Sequence, residues 1–151
     1  MERVRPRLLL VDSEAAFRLR AIGALSDRFD VTVPGPGDDV VRLARAVRPD
    51  VGCLACGGRS RVEALRLARV LKTDVRIVPS LGFYTRTGES PPSRAAVESV
   101  HVDGLLSGAE DPAALLSFAE ALLSGARIMP EPWPPQAPGP VRRLLTRLLG
   151  R

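Results

Sequence analysis

Residues 7–33 read RLLLVDSEAAFRLRAIGALSDRFDVTV, and the alternation within this stretch decides the fold. The apolar run at 7–11 is typical of a buried strand. The segment after it repeats apolar residues at helical spacing behind an N-cap at Asp12 or Ser13, which predicts a helix. FDVTV at 29–33 predicts a second strand, which ends at the turn sequence PGPG.

The same alternation continues to residue 128. Further strands are predicted at 50–56, 75–78 and 104–107. Further helices are predicted at 38–47 and 60–72, a short one that begins at Ser90, and one that begins at Asp111 and Pro112 and ends at Gly125. The stretch LGFYTRTGE, at 81–89, is predicted to be an irregular loop. Five successive strand–helix units predict an α/β fold with a five-stranded parallel sheet and helices on both faces.

The composition changes after residue 128. Residues 129–140 contain six prolines, which predicts an extended linker. Residues 141–151, VRRLLTRLLGR, place leucines and a valine on one side and arginines on the other, which predicts a short basic amphipathic helix. We therefore expect one domain at 1–128, a Pro-rich linker at 129–140 and a C-terminal helix.

Composition and charge exclude several classes of protein. The apolar fraction is 45% and the charged fraction 26%, as in ordinary globular proteins. No apolar run approaches the roughly 20 residues of a transmembrane helix, and the N-terminal apolar run is too short for a secretion signal, so we expect a cytoplasmic protein. Much of the net charge of +5 lies after residue 128, so the basic composition is only weak evidence for nucleic-acid binding by the domain itself.

Residues that could perform catalysis or bind a metal are scarce. Cys53 and Cys56 lie three apart in a predicted strand and so face opposite sides, which suits neither a disulfide nor a zinc site. We expect both to be buried, reduced thiols, with an accessible thiol at Cys56 as the alternative because it lies at the carboxyl edge of the sheet. His101 is the only histidine and precedes the fifth strand, so no catalytic triad can be assembled around it. The sequence predicts no enzyme, no metal and no cofactor.

Three strings, in this order and at this spacing, resemble the receiver domain of bacterial response regulators. They are LLLVDSE at 8–14, VRPDVGCLA at 47–55 and VDGLLSGAEDPAALLSFAEALLSGARIMP at 102–130, and the last is most similar to NarL-type regulators. The resemblance implies the strand order 2-1-3-4-5. It also implies a phosphoryl group on an aspartate that ends the third strand, beside Mg²⁺ held by an acidic pair that ends the first.

This chain departs from that apparatus. Asp12 matches the first acid of the pair, but Ser13 stands at the second position and Ala55 at the phosphoacceptor. Ser80 is expected to supply the hydroxyl that ends the fourth strand, and Ser107 or the glycine after it stands where the family has a lysine. The resemblance therefore predicts a degenerate pocket formed by these five residues, without phosphorylation on aspartate.

The first functional hypothesis is a phosphorylation-independent pseudo-receiver that binds a protein partner or a second copy of itself. In the family, the fourth helix, fifth strand and fifth helix form the output surface. The candidate partner-binding residues come from four parts of the chain. Phe83 and Tyr84 are the aromatics of the predicted loop, and Leu105 is near the position of the family's switch aromatic. The others are Trp133 of the linker and the tail residues Arg142, Arg143, Leu144, Leu145, Arg147 and Leu148.

Other functions stay open. The vacated pocket could bind a small molecule, or the chain could be the receiver part of a NarL-type transcription regulator without its helix-turn-helix. The tail could dock on a partner, pack on its own domain, link to a further module or lie on a membrane. Binding to DNA or to a membrane is not favoured, since one short helix gives only weak support to either.

Overall fold

A computed structural model describes residues 4–74 and 77–135 of the chain, and for residues 73 and 74 only the backbone. The predicted C-terminal helix at 141–151, with all its candidate partner-binding residues, lies outside the described residues. No helix within the described part is long and apolar enough to cross a membrane.

Five parallel strands form one sheet in the order β2-β1-β3-β4-β5, which confirms the predicted fold class and strand order. The strands are β1 (Arg7–Val11), β2 (Asp30–Thr32), β3 (Val51–Ala55), β4 (Ser80–Arg86) and β5 (Gly104–Ala109). The central strand β3 is buried along its whole length, because helices cover both faces of the sheet.

The helices divide between the two faces. Side chains of α1 (Ala15–Leu25) and α5 (Pro112–Leu123) pack into one hydrophobic core. Those of α2 (Val40–Val47), α3 (Arg61–Arg69) and α4 (Arg94–Ser99) pack into the other. A short 3-10 turn (Gly58–Ser60) precedes α3, and a π-helical turn (Val70–Asp74) follows it.

The N-caps of two helices differ from the predicted ones. The N-cap of α1 is Glu14, whose carboxylate accepts the backbone N–H groups of Ala16 and Phe17, so neither Asp12 nor Ser13 caps the helix. The fourth helix begins at Arg94, immediately after Ser93, rather than at Ser90. The hydroxyl of Ser93 is its N-cap and accepts a hydrogen bond from the backbone N–H of Ala96. The predicted start of α5 is confirmed, with Asp111 as the cap and Pro112 in the first turn.

The two cysteines lie in different cores. Cys53 belongs to the core under α1 and α5, whereas Cys56 belongs to the core under α2, α3 and α4. Both are free thiols and fully buried, as predicted. Burial raises the pKa of each thiol to about 12, so neither is a thiolate at neutral pH.

The predictions of a fourth strand at 75–78 and of an irregular loop at 81–89 are both wrong. Residues 77–79 form a bend, and β4 occupies most of the predicted loop, with its five central residues buried. Phe83 and Tyr84 point into opposite cores. Gly82 is needed for this packing, because a Cβ there would lie 2.6 Å from the ring of Phe118. Pairing with β3 and β5, rather than local hydrophobicity, places the strand here.

The first residues of the predicted linker pack against the domain. The N–H of Leu105 donates to the carbonyl of Ile128 at 2.8 Å, which pairs the chain with the start of β5. Further along, the indole N–H of Trp133 donates to the carbonyl of Pro92 at 3.2 Å, and its ring lies beside the guanidinium of Arg94. Residues 128–133, which we call the strap, therefore belong to the packed domain rather than to an extended linker.

Candidate functional site

The carboxylate of Asp12, just after β1, is fully buried and fully engaged. Arg86, the last residue of β4, donates from Nη1 to both carboxylate oxygens at 2.6 Å. The hydroxyl of Tyr84 donates to Oδ2 at 2.5 Å, and the backbone N–H of Glu14 donates to Oδ1 at 2.8 Å. We call Asp12, Tyr84, Arg86 and Glu89 the Asp12 network, since Glu89 binds the other side of Arg86.

The sheet brings these residues together although β3 separates β1 from β4. Tyr84 pairs with Ala55 in the register of β3 and β4, and both side chains lie on the α1–α5 face. Because Ala55 carries only a methyl group, the phenol of Tyr84 can pass over β3 to reach Asp12. Phe17 of α1 stacks on the tyrosine ring, with the ring centroids 5.7 Å apart, and closes this side of the network.

The electrostatics of the network fix its protonation. Burial raises the pKa of Tyr84, and the charge of Asp12 raises it further, so the phenol remains a neutral donor. For Arg86, burial lowers the pKa, but the hydrogen bond and the charge of Asp12 outweigh this effect and raise it overall. The buried negative charge of Asp12 is therefore matched by a permanent positive charge from the same chain.

Glu89 ties the loop after β4 to the same network. Its carboxylate accepts the backbone N–H of Arg86 at 2.7 Å and Nη2 of that residue at 3.1 Å. Gly57, at the end of β3, lies against Glu89, and a Cβ there would come within 2.7 Å of it. The loops that follow β3 and β4 are thus held against each other by a charged contact and a glycine.

A cleft of about 270 Å³ lies beside the network, between α3 and the ends of β1 and β3. Its walls are apolar, and its polar groups belong to a few side chains. The residues that line it are Val11, Asp12, Ser13, Leu54, Ala55, Arg59, Ser60, Glu63, Ala64 and Leu67. Three of the five predicted pocket residues, Asp12, Ser13 and Ala55, are therefore brought together.

Several solved structures share this arrangement of strands and helices. The chemotaxis response regulator CheY4 of Vibrio cholerae is 17% identical, with a TM-score of 0.65 over 79% of this chain and 99% of that one. A CheY-like receiver domain from Methanospirillum hungatei is 13% identical, with a TM-score of 0.66 over 81% and 96%. The receiver domain of RcsB from Salmonella enterica serovar Typhimurium is 17% identical, with a TM-score of 0.63 over 85% and 95%.

This is the receiver fold. No family model and no curated protein matches the sequence. At such identities the likeness to the solved receiver domains concerns the fold alone, so any activity must be argued from this chain's own residues.

Two of the predicted pocket residues lie elsewhere. Ser80 begins β4 opposite Val51, so it is at the far end of the sheet from Ala55. The prediction was wrong because it placed β4 too early in the sequence. The buried hydroxyl near the end of β4 belongs to Thr85, whose Oγ1 accepts the N–H of Gly108 at 3.0 Å. Ser107 is exposed on β5 and does not line the cleft.

Three of the predicted partner-binding residues are core residues. Phe83 and Tyr84 have no exposed surface, and Leu105 is 3% exposed, so none of them is available to a partner. Trp133 is half-buried against its own domain rather than free on a linker. The prediction that Phe83, Tyr84 and Leu105 contact a partner is therefore wrong, because these residues are buried in strands.

The magnesium ion that receiver domains use does not fit these residues. Mg²⁺ requires several oxygen ligands in an octahedron. Arg86 donates to both oxygens of Asp12, Ser13 supplies no charge and the side chain of Ala55 supplies no ligand atom. Within residues 4–74 and 77–135, no group of three His, Cys, Asp or Glu side chains could hold a metal ion.

Sequence reasoning missed Arg86, Glu89 and the role of Tyr84. The only local signal is the spacing of Arg86 and Glu89, three residues apart around the turn at Gly88, which has a φ of 84°. The contacts of Arg86 and Tyr84 with Asp12 span more than 70 residues of sequence and have no local signature.

Proposed function

We propose that this chain is a phosphorylation-independent module with a receiver fold, which acts by binding a protein partner in bacterial signalling. One observation carries the proposal: the Asp12 carboxylate is saturated by Arg86, Tyr84 and the N–H of Glu14. No enzymatic activity is part of the proposal.

The saturation of Asp12 bears directly on switching. A phosphorylated receiver needs an aspartate that can form an acyl phosphate, and a cation that offsets the added charge. Here the corresponding position is Ala55, and the guanidinium of Arg86 already neutralises the one acid that remains. The state of the module is then set by the concentration of its partner rather than by phosphate.

The strap changes the surface that such a partner would meet. In the resemblance to receivers, α4, β5 and α5 form the output surface. In this chain the strap lies over the α4 and β5 part, and Glu131 and Pro132 are exposed on its outer side. Leu123, 41% exposed at the end of α5, is uncovered. We propose that recognition uses the outer side of the strap, the face of α5 and the amphipathic residues at 141–151.

Beryllofluoride tests phosphorylation independence, because the receiver domain of RcsB was solved in the presence of this phosphomimetic. We expect no change in the amide NMR spectrum of the full chain when beryllofluoride and Mg²⁺ are added together. The matched control is the variant Ala55→Asp/Arg86→Ala, which restores a carboxylate and removes the competing cation. Amide shifts confined to the ends of β1, β3 and β4 in the unmodified chain would contradict the proposal.

The interaction role is tested by capture of partners and by light scattering. The full chain is compared with a chain that ends at Pro135, which removes 136–151 but keeps the strap. We expect a specific partner, or a dimer, that the shorter chain binds more weakly. If both forms are monomers and neither retains a partner, the interaction role is wrong.

A second candidate function is the sensing of a small molecule. The observation that favours it is the apolar cleft beside Asp12, since a pocket with apolar walls and a few polar groups is the usual form of a ligand site.

A further inference from the structure

The cleft beside Asp12 carries one charge without a counter-ion. Of its three charged residues, Asp12 is paired with Arg86, and Glu63 accepts two hydrogen bonds of 2.8 Å from Arg66. Arg59 has no hydrogen bond or ion pair with any residue in the described part of the chain. The electrostatic character of the cleft is therefore that of a single positive group.

Two hydroxyl groups accompany this charge at the cleft. Ser13 follows Asp12, and Ser60 lies next to Arg59. Neither side chain has a hydrogen bond among residues 4–74 and 77–135, so both hydroxyls can bind a ligand. The apolar residues that line the cleft include Val11, Leu54, Ala64 and Leu67.

The turn that carries Arg59 is held in place by the Asp12 network. Gly58 has a φ of 55°, a left-handed conformation that glycine adopts readily. Gly57, the residue before it, packs directly on Glu89, which in turn binds Arg86. Arg59 thus lies on a turn whose backbone is anchored, and a ligand at the cleft would meet a preformed site.

We propose that this cleft binds a small organic acid, whose apolar body fills the cleft and whose carboxylate pairs with Arg59. A cationic ligand would find both acids of the cleft already paired, and a neutral one would gain only hydrogen bonds from the guanidinium, without an ion pair. At the packing density of protein interiors, the cleft has room for on the order of ten non-hydrogen atoms. The proposal rests on the second candidate function and is independent of the partner-binding role.

Hexanoate is the probe, and hexanamide, of the same size but without charge, is its control. Both are titrated into the full chain, and amide NMR shifts locate the site and give the dissociation constant. We expect hexanoate to shift the amides of Ser13, Ser60 and Leu67 and to bind at least tenfold more tightly than hexanamide. Equal affinity for the two probes, or shifts that lie outside the cleft, would overturn the proposal.

Two variants and one control test the assignment of residues. Arg59→Ala is expected to weaken hexanoate binding tenfold or more and to change hexanamide binding much less. Ala64→Leu fills the cleft and is expected to abolish binding of both probes. Arg20→Ala removes an exposed arginine of α1 that does not line the cleft, and should bind hexanoate like the unmodified chain. Thermal unfolding of each variant shows that it is folded, and unchanged binding by folded Arg59→Ala would refute the role of Arg59. None of these outcomes affects partner capture, so the two functions fail separately.

Discussion

Replacing Arg86 by methionine tests the Asp12 network most directly. The substitution keeps an unbranched side chain of similar length but removes the cation from a carboxylate with no exposed surface. Breaking a buried ion pair from one side costs about 3–5 kcal/mol, because the remaining charge is left uncompensated. We expect a loss near 3 kcal/mol in the free energy of unfolding, at the lower end of that range. Asp12 keeps its hydrogen bonds from Tyr84 and from the N–H of Glu14, and the 18% exposure of Arg86 admits water.

The assay is urea unfolding followed by circular dichroism at pH 7. Extrapolation to zero urea gives the free energy of unfolding of the unmodified chain and of Arg86→Met.

A double-mutant cycle with Asp12→Asn separates the pair from other effects of the substitutions. Because the amide carries no charge, Arg86→Met should cost much less in that background, with a coupling energy of about 1–3 kcal/mol. Arg20→Ala serves as the exposed control and should change stability by less than about 0.5 kcal/mol. A loss under about 1 kcal/mol for Arg86→Met would refute the reasoning that the pair is buried and charged.

Three further predictions concern other parts of the chain. Gly82→Ala should destabilise the fold by about 1–3 kcal/mol, since its Cβ would overlap the core, whereas Gly23→Ala on the open face of α1 should stabilise it by about 0.5–1 kcal/mol. Chemical denaturation measures both changes, and a Gly82→Ala chain more stable than the Gly23→Ala chain would contradict the packing. Cys53 and Cys56 should not react with a thiol reagent at pH 8 in the folded chain, because burial raises the pKa of each thiol to about 12. Both should react in urea, and rapid labelling without urea would contradict the prediction. The fluorescence of Trp133, the only tryptophan, should resist quenching by acrylamide, and quenching like that of free tryptophan would mean that the strap does not pack. Deleting Ile128–Trp133 should increase hydrogen exchange at the start of β5.

The sequence by itself determined the class of the fold. Alternating apolar runs and helical spacing identified β1, β2, β3, β5 and the five helices, because those segments carry periods that match their secondary structure. Through the resemblance, it also predicts that Ala55 stands at the phosphoacceptor position. The buried state of both cysteines followed from their place in an apolar strand and was confirmed.

Only the tertiary structure decided where β4 lies and what Asp12 binds. β4 contains Ser80 and Gly82, whose residue types are common in loops, and the hydrogen bonds of this segment to β3 and β5 select the strand. That shift moved Ser80 to the far end of the sheet and carried Arg86 to Asp12. A contact over 74 residues arises because parallel strands bring their carboxyl ends to one edge, and no local pattern encodes which side chains will meet there.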